Sequence, residues 1–488
     1  MNFVGLDLGT SAVKTVLVDV AGRVIAEADH PVAWETPRPL WSQSDPRGWW
    51  DSAAATLDDL ARREPKAMSG VVAIGLSGQM HGAVALDAAD EPLRPAILWN
   101  DGRAHAEADE LAARGGPEWS DRLGVRPMPG LTGPKLLWMA RNEPDLHKRI
   151  RSLLLAKDYL RLRMTGERIT DASDAAGTWY FDQYERAWSG QALDWCEVNA
   201  QWLPRVCEGD APAGRLRAEL AARWGMAGPV TIAAGGGDAA TGAVGAGVVA
   251  EGDAMMSMGT SAQIVVAADR HRPASARMVH AFCHALPGRW YQMAAMLSGA
   301  SPMAVAARWL KADIGELLAE CEAAFKGPSR LLSLPYLVGE RTPHNDPFAR
   351  GAIFGLDAAT TRADMTQAVL EGTAFMLADA RAALEAAGAH CGRAALIGGG
   401  ARSPFWAKLI ASATGIELTL SSGAQRGPAF GAARLAILSA GKGDASTLAA
   451  PAVERTIAPD RELFEAYRPR IERFRELYRA LKPEFAKG

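Results

Sequence analysis

The sequence predicts an α/β protein of two similar lobes, with mixed sheets, helical crossovers and a cleft between the lobes. Three observations carry this. The first eighty residues read strand, strand, strand, helix, strand. A Gly-Thr-Ser turn between apolar runs occurs near the start and returns in the second half. Glycine triplets twice join a strand to a helix, in TIAAGGGDAATG and in AALIGGGARSPFW.

VGLDLGT is a strand that runs into a glycine turn, and VKTVLVDV is its partner. Ala21, Gly22 and Arg23 turn the chain again into VIAEADHPV, so the opening is a meander of three strands. Asp45 as cap and Pro46 as first helical residue start a helix through WWDSAAATLDDLARR. GVVAIGLSGQ is a buried strand after it. A mixed sheet with helical crossovers follows from that order. AMMSMGTSAQIVVAA repeats the strand, Gly-Thr-Ser turn and strand of LDLGTSAVKTVLVD. The expected division is therefore 1–245 and 246–488, with a ligand between the lobes. MTQAVLEGTAFMLADARAALEAAG is a helix of the second lobe. Near the end, Phe464, Tyr467, Ile471, Phe474, Tyr478 and Leu481 form a helical stripe that packs on the body or serves a subunit contact.

At roughly 150 residues per domain the length fits two or three domains. The net charge of -3 sets no large positive field against a polyanion, so nucleic acid is not an expected partner. Five widely spaced cysteines with no CxxC pair read as reduced thiols of a cytoplasmic protein, not as disulfides or a zinc site. Asp7 interrupts the apolar start, which excludes a signal-peptide reading. The longest uncharged-looking run, from Trp290 to Ala307, carries Gln, Ser, Gly and Pro and reads as core and loop instead of a membrane span.

Several runs carry chemistry. A Gly-Thr-Ser turn leaves amides and hydroxyls free for phosphate oxygens, which marks Thr10, Ser11, Gly259 and Thr260. Taken singly such a turn is usually just a hairpin; two in matching positions, the first preceded by Asp7, are more. A carboxylate beside a phosphate loop suits Mg2+. Gly398, Gly399 and Gly400 let backbone lie against a ring or a phosphate at a helix start. Asp238 follows a glycine triplet at another strand-to-helix turn. It is either a helix cap or a reactive carboxylate able to take the proton of an attacking hydroxyl. Gln79, Met80 and His81 end one strand, and Trp99, Asp101 and Arg103 end another. Such polar and aromatic groups suit a sugar. GxxxxGK[ST] and a strand-linked GxGxxG are both missing, against a P-loop and against a dinucleotide fold.

With these motifs in order, the chain resembles the FGGY family of carbohydrate kinases from end to end. GLDLGTSAVKTVLVD, WSQSDPRGWW, GQMHGAV, LRPAILWNDGR, KDYLRLRMTG, SDAAGT, GGGDAATGAVG, MGTSAQ, FCHALPGRW, AVLEGTAF and LIGGGARSPFW all fall in the family's sequence. QMHG and GERTPHNDP are most like the members that act on D-xylulose. The resemblance implies a two-lobe actin-like ATPase (ribonuclease H-like) fold and phosphoryl transfer from ATP with Mg2+. It implies Asp238 as general base and Asp7 on the metal side. Thr10, Ser11, Gly259 and Thr260 would meet ATP phosphates, and Gly399, Gly400 and Ala401 the adenosine. Gln79, Met80, His81, Trp99, Asp101 and Arg103 would surround the sugar. A homodimer is implied by the resemblance alone. Ala239 departs from the Asn or Gln that often follows the base in the family, and Ala262 stands in the second loop where Gly is common. The alternatives are a kinase of the same family for another ketose, polyol or sugar acid, and a non-catalytic actin-like ATPase. The second does not need an aspartate after a glycine triplet beside sugar-site residues.

Overall fold

A computed structural model describes residues 1–421, 426–443, 445–485 and 487. The meander forms as expected: β1 (Asn2–Leu8), β2 (Ala12–Asp19) and β3 (Val24–Pro31) pair antiparallel in order. Helix α1 (Pro46–Arg63) starts at the Asp45 cap, whose carboxylate accepts from the Arg47 amide. It buries Trp49, Ala53, Leu57 and Leu60 against β2 and β3. The crossover returns the chain to β4 (Val71–Gly78), parallel to β1. Helix α2 (Ala156–Thr165) packs near β4. Then β5 (Pro212–Arg215) and β6 (Thr231–Ala233) complete a sheet in the order β5-β6-β4-β1-β2-β3. The two-residue strand β7 (Gly236–Gly237) pairs with the end of β4.

Helix α3 (Asp238–Ala246) leads into the second lobe. There β8 (Ala254–Met258), β9 (Ala262–Ala268), β10 (Val279–Cys283) and β11 (Trp290–Met296) pair antiparallel in the order β8-β9-β11-β10. Helix α4 (Arg362–Ala386) crosses to β12 (Arg393–Ile397), parallel to β8. Helix α5 (Pro404–Thr414) crosses to β13 (Glu417–Ser421), parallel to β12. Helix α6 (Gly427–Ser439), β14 (Val453–Ile457) and α7 (Arg461–Phe485) close the chain. The sheet order is β10-β11-β9-β8-β12-β13-β14. The run β3-β2-β1-β4-β6 and the run β11-β9-β8-β12-β13 therefore share one topology: three antiparallel strands, then two parallel. This is the duplicated, two-lobe actin-like ATPase architecture, and the two Gly-Thr-Ser turns occupy equivalent hairpins.

The lobes are knitted by two helices that each leave one sheet and pack on the other. Helix α3 follows the first sheet, yet Ala239, Ala240, Ala243 and Val244 share a core with Met255 and Val265 of the second. Helix α6 follows the second sheet, yet it lies on β1 and β4. Gly5 and Gly75 are register neighbours there, and the helix backbone rests directly on them. A Cβ at Gly75 would stand 1.8 Å from the Ala432 carbonyl oxygen, and one at Gly5 1.9 Å from that of Ala429. Gly75→Ala is therefore expected to lower stability by about 1–3 kcal/mol through overpacking. Equilibrium urea unfolding checks this; an unchanged midpoint would show that the helix shifts at no cost.

The C-terminal stripe packs on the body, with one change of residue. Leu463, Tyr467, Ile471, Phe474 and Tyr478 are buried, whereas Phe464 and Leu481 are only partly so. Leu463 takes the inner position because it sits four residues before Tyr467, whose hydroxyl donates to Glu371 of α4 at 3.1 Å. All five cysteines are unpaired. Among the described residues no helix is long and apolar enough to cross a membrane.

Candidate active site

Two carboxylates define the centre. Asp7 is the penultimate residue of β1, flanked in register by Lys14 of β2 and Ser77 of β4. It is buried, and Ser77 donates to its Oδ1 at 2.8 Å. Asp238 is the first residue of α3; Gly237 and not Asp238 is the cap. The bland reading of Asp238 as a cap is thereby removed. Its Oδ1 accepts from the amide of Ala239 at 2.8 Å, and Oδ2 accepts from no described residue. The two acids are tied through hydroxyls. Ser77 Oγ lies 2.7 Å from Thr241 Oγ1, and Thr241 donates to the carbonyls of Gly237 at 3.1 Å and Asp238 at 3.2 Å. Burial, with the like charge of Asp7 second, pushes Asp238 up to about 7. Burial likewise raises Asp7 to about 6, opposed by Ser77 and Lys14. A carboxylate with one free oxygen and a pKa near neutrality suits a general base.

The turn that carries Asp238 is held by buried charges. In α2, Lys157 reaches Asp158 at 2.7 Å, Asp171 at 2.8 Å and Asp174 at 3.1 Å, all fully buried. Arg161 pairs with Asp158 at 2.7 Å and donates to the carbonyls of Ala233, at 3.2 Å, and Ala234, just before the glycine triplet. Asp171 accepts from the Ser173 amide at 2.7 Å, and Ser173 Oγ accepts from the Gly237 amide at 3.2 Å. Two cations thus face three carboxylates. Burial, reinforced by Asp158 and Asp171, holds the Asp174 carboxyl well above its usual range against the pull of Lys157. In the sequence, KDYLRLRMTG and SDAAGT carry charges of this network with nothing local to show their role. The available signal was a set of charges inside otherwise apolar segments, which predicts a buried network.

The residues predicted to surround the sugar come from two stretches of the first lobe, one directly after β4 and one at Trp99 to Arg103. Met80 is buried and lies so close to Gly237 that a Cβ there would stand 2.7 Å from Met80 Cγ. His81 takes a left-handed φ of 71°. Its own carbonyl is gripped by Lys135 Nζ at 2.9 Å and Thr132 Oγ1 at 3.1 Å. His81 Nδ1 donates to the Gly177 carbonyl at 2.8 Å. Burial first, then Lys135, keeps this imidazole well below its ordinary pKa, so it is neutral and Nε2 is an acceptor. Trp99 Nε1 donates to Thr10 Oγ1 at 2.9 Å, and Thr10 donates to Gln79 Oε1 at 3.3 Å. The first Gly-Thr-Ser turn is thus hydrogen-bonded to both Trp99 and Gln79. Asp101 and Arg103 are buried against each other, with Arg103 Nη2 to Asp101 Oδ2 at 2.7 Å. Asp101 also takes the Ser42 amide at 2.6 Å, and Arg103 stacks 3.8 Å from the Trp41 ring centroid. Their charges are taken up by one another, which stiffens the stretch next to Trp99.

Ser11 is exposed at the first turn, and Thr260 at the second. The Gly259 carbonyl accepts from the Ala300 amide at 2.7 Å. Gly398, at φ 89°, and Gly400 lie on Met258, immediately before the second turn. Gly399 is exposed between them. The structure thus joins Gly259 and Thr260 to the glycine triplet. Ala401 continues the short 3-10 turn Gly399–Arg402, and its side chain lies outside the described residues.

Comparison with known proteins agrees with this geometry. Residues 2–245 match the N-terminal domain of the FGGY family of carbohydrate kinases, and residues 254–440 match its C-terminal domain. The chain is 43% identical over 487 residues to the xylulose kinase of Escherichia coli strain K12, covering 99% of this chain and 100% of that protein. It is 40% identical over 484 residues to the xylulose kinase of Klebsiella pneumoniae, covering 99% of each. The crystal structure of a xyloylose kinase from Brucella ovis superposes with a TM-score of 0.95 at 43% identity, covering 99% of this chain and 100% of that one. That of xylulose kinase from Rhodospirillum rubrum gives 0.90 at 28% identity over the whole of both chains. With two carboxylates at the joint of two duplicated lobes, and with both family domains matched, the chain belongs to the FGGY family of carbohydrate kinases.

Proposed function

We propose that this kinase transfers the γ-phosphoryl group of ATP to the 5-hydroxyl of D-xylulose. The carrying observation is the pair Asp238 and Asp7 held at a fixed relation by Ser77 and Thr241. The similarity over whole chains to xylulose kinases supports the choice of sugar. Asp238 Oδ2 accepts the hydroxyl proton as the sugar oxygen bonds to the γ-phosphorus; the bond from that phosphorus to the β–γ bridging oxygen breaks, and ADP leaves. His81 Nε2, Gln79 and Trp99, with Met80 beneath them, position the sugar, and Asp101 and Arg103 keep the Trp99 stretch rigid. Thr10, Ser11, Gly259 and Thr260 cradle the phosphates, and Gly399, Gly400 and Ala401 flank the adenosine. Closure of the lobes excludes water as a competing acceptor.

Mg2+ fits beside Asp7. Both carboxylates are raised, the charge of Asp7 acts on Asp238, neither forms an ion pair among the described residues, and no described group of three or more acidic, His or Cys residues forms a protein cage. An ion held mainly by phosphates and water needs no more than that. When bound, it neutralises charge on the β- and γ-phosphates. Asp7 would hold it, with Ser77 keeping that carboxylate oriented. The reading also includes lobe domains of 1–245 and 246–488, supported by the adjoining family matches. It includes a cytoplasmic setting, supported by the five free thiols, and the homodimer of the family resemblance, which sedimentation would test.

A coupled ADP-release assay with ATP and Mg2+ across ketoses, polyols and sugar acids tests the reading. Turnover greatest with D-xylulose is expected. A higher kcat/KM for gluconate or a pentitol would move the substrate, and turnover without sugar would remove the kinase role. The pH profile follows from Asp238. A base must be ionised, so kcat/KM for the sugar is expected to fall about tenfold per pH unit below about 7. Asp7→Asn removes the neighbouring negative charge, so the acid limb of its residual activity is expected to move to lower pH. A limb that stays in place would separate the two groups.

A further inference from the structure

The predicted sugar residues described above belong entirely to the first lobe. A second set of polar groups faces them from the other lobe. His280 lies on β10, opposite Met293 of β11. It is 2% exposed, and neither Nδ1 nor Nε2 has a hydrogen-bond partner among the described residues. Two residues on, Phe282 shares its face of the strand, its ring centroid 5.2 Å away. Phe282 belongs to the same core as Met80 of the predicted sugar residues and Ala239 beside the base. His280 therefore points from the second lobe toward the joint with the first.

Arg341 reaches the same joint. Its guanidinium carbon stands 5.6 Å from the ring centroid of Trp99. Among the described residues that guanidinium makes no hydrogen bond and no ion pair. The adjacent Glu340 accepts at Oε1 from the Leu297 amide at 2.6 Å and the Arg341 amide at 2.8 Å, its Oε2 has no hydrogen-bond partner among the described residues, and its charge favours the Arg341 guanidinium without a direct ion pair. Thr342 fixes this loop on the strands that carry His280. Its hydroxyl donates to the Met278 carbonyl at 2.7 Å and accepts from the Ala295 amide at 3.1 Å. His280 and Arg341 are near enough to His81 that both disfavour its protonation, and Arg341 acts likewise on His280.

A buried imidazole with both nitrogens unmet, beside an unpaired guanidinium, is costly in a free protein. Both groups offer hydrogen bonds to oxygen, and both lie across from His81 and Trp99. Resting on the sugar-kinase reading, we infer that His280 and Arg341 are the second-lobe half of the acceptor site and bind the carbonyl and hydroxyl end of the ketose, away from the transferred hydroxyl. The sugar then bridges the lobes, and its binding helps to close them. Arg341 gives GERTPHNDP, quoted above for its family likeness, a task at the joint.

The test uses His280→Leu and Arg341→Met in the full chain, with the acceptor that the wild-type protein turns over best. Sugar KM, ATP KM and thermal midpoint are measured for each. Each variant is expected to raise the sugar KM about tenfold or more, with little change in the KM for ATP. His280→Leu is expected to keep or raise the thermal midpoint, because it removes unmet polar atoms; a purely structural histidine would give a lower midpoint and an unchanged sugar KM. Arg341→Lys serves as a milder variant with a charge but without the planar fork, and an intermediate KM is expected. Sugar KM within twofold of wild type in Arg341→Met and His280→Leu alike would overturn the inference. A wild-type preference for another sugar moves the proposed substrate only, since the same KM comparison then runs on that sugar. If Arg341→Met lost far more activity with gluconate than with any ketose, a sugar acid would be the ligand of this end, against the ketose assignment.

Discussion

Asp238→Ala is expected to remove sugar phosphorylation while leaving ATP binding in place. The expected loss in kcat is at least ~10²–10⁴-fold, the usual worth of a positioned base. The reason is local. Asp238 Oδ2 accepts from no described residue, and the remainder of the turn is held by side-chain hydrogen bonds to its backbone that alanine leaves intact: Gly237 amide to Ser173 Oγ, and Thr241 Oγ1 to the carbonyls of Gly237 and residue 238. The fold and the phosphate turns should therefore survive. A coupled assay with D-xylulose, together with nucleotide titration, checks both halves. Substantial turnover in this variant would mean that the proton leaves by another route, and loss of ATP binding would mean that Asp238 supports the nucleotide side. Asp238→Asn keeps the shape and removes the basicity, so it should behave as alanine does.

Lys157→Met should have the largest effect on stability. Lys157 is the hub of three buried carboxylates, at 2.7 to 3.1 Å. Burying a cation costs desolvation, and here its three partners more than offset this, raising its pKa. Removing the cation leaves Asp158, Asp171 and Asp174 with Arg161 alone. Breaking a buried ionic group from one side costs about 3–5 kcal/mol. Denaturant unfolding should show a loss of that order. Because Asp171 orients Ser173, and Ser173 holds the Gly237 amide, the surviving protein should also show a lower kcat. An unchanged midpoint would imply that the acids become protonated without strain. Ser173→Ala isolates the second effect, since it removes the link to Gly237 and keeps the cation.

Much of the fold could be read from local pattern. Asp45-Pro46 gave a helix start that the structure keeps, and the repeated Gly-Thr-Ser turns predicted equivalent hairpins, which they are. These features depend on neighbours a few residues away, and local stereochemistry fixes them. The site was legible as a set of residue types at strand ends. Gln79, Trp99 and Thr10 do converge, although they come from three separate segments. What escaped was every relation that needs distant segments. Ser77 and Thr241 are ordinary hydroxyls in sequence, and they become a link between Asp7 and Asp238 only when β4 and α3 meet. The charges of KDYLRLRMTG stand in one short segment, and only the fold brings Asp171 and Asp174 onto Lys157. Phe464 and Leu463 are neighbours in an amphipathic helix, and which of them faces inward depends on how α7 is seated on α4.

By itself, the sequence determined the α/β class, the two similar lobes and the family, because propensities, turns and motif order are local. Only the tertiary structure decided that α3 and α6 cross between lobes, that glycines at 5 and 75 admit a helix backbone, and that Asp238 stands free of the cap position. It also set the near-neutral pKa of that carboxylate. Desolvation and the field of Asp7 arise from atoms brought together across hundreds of residues, and no local pattern encodes the distance between them.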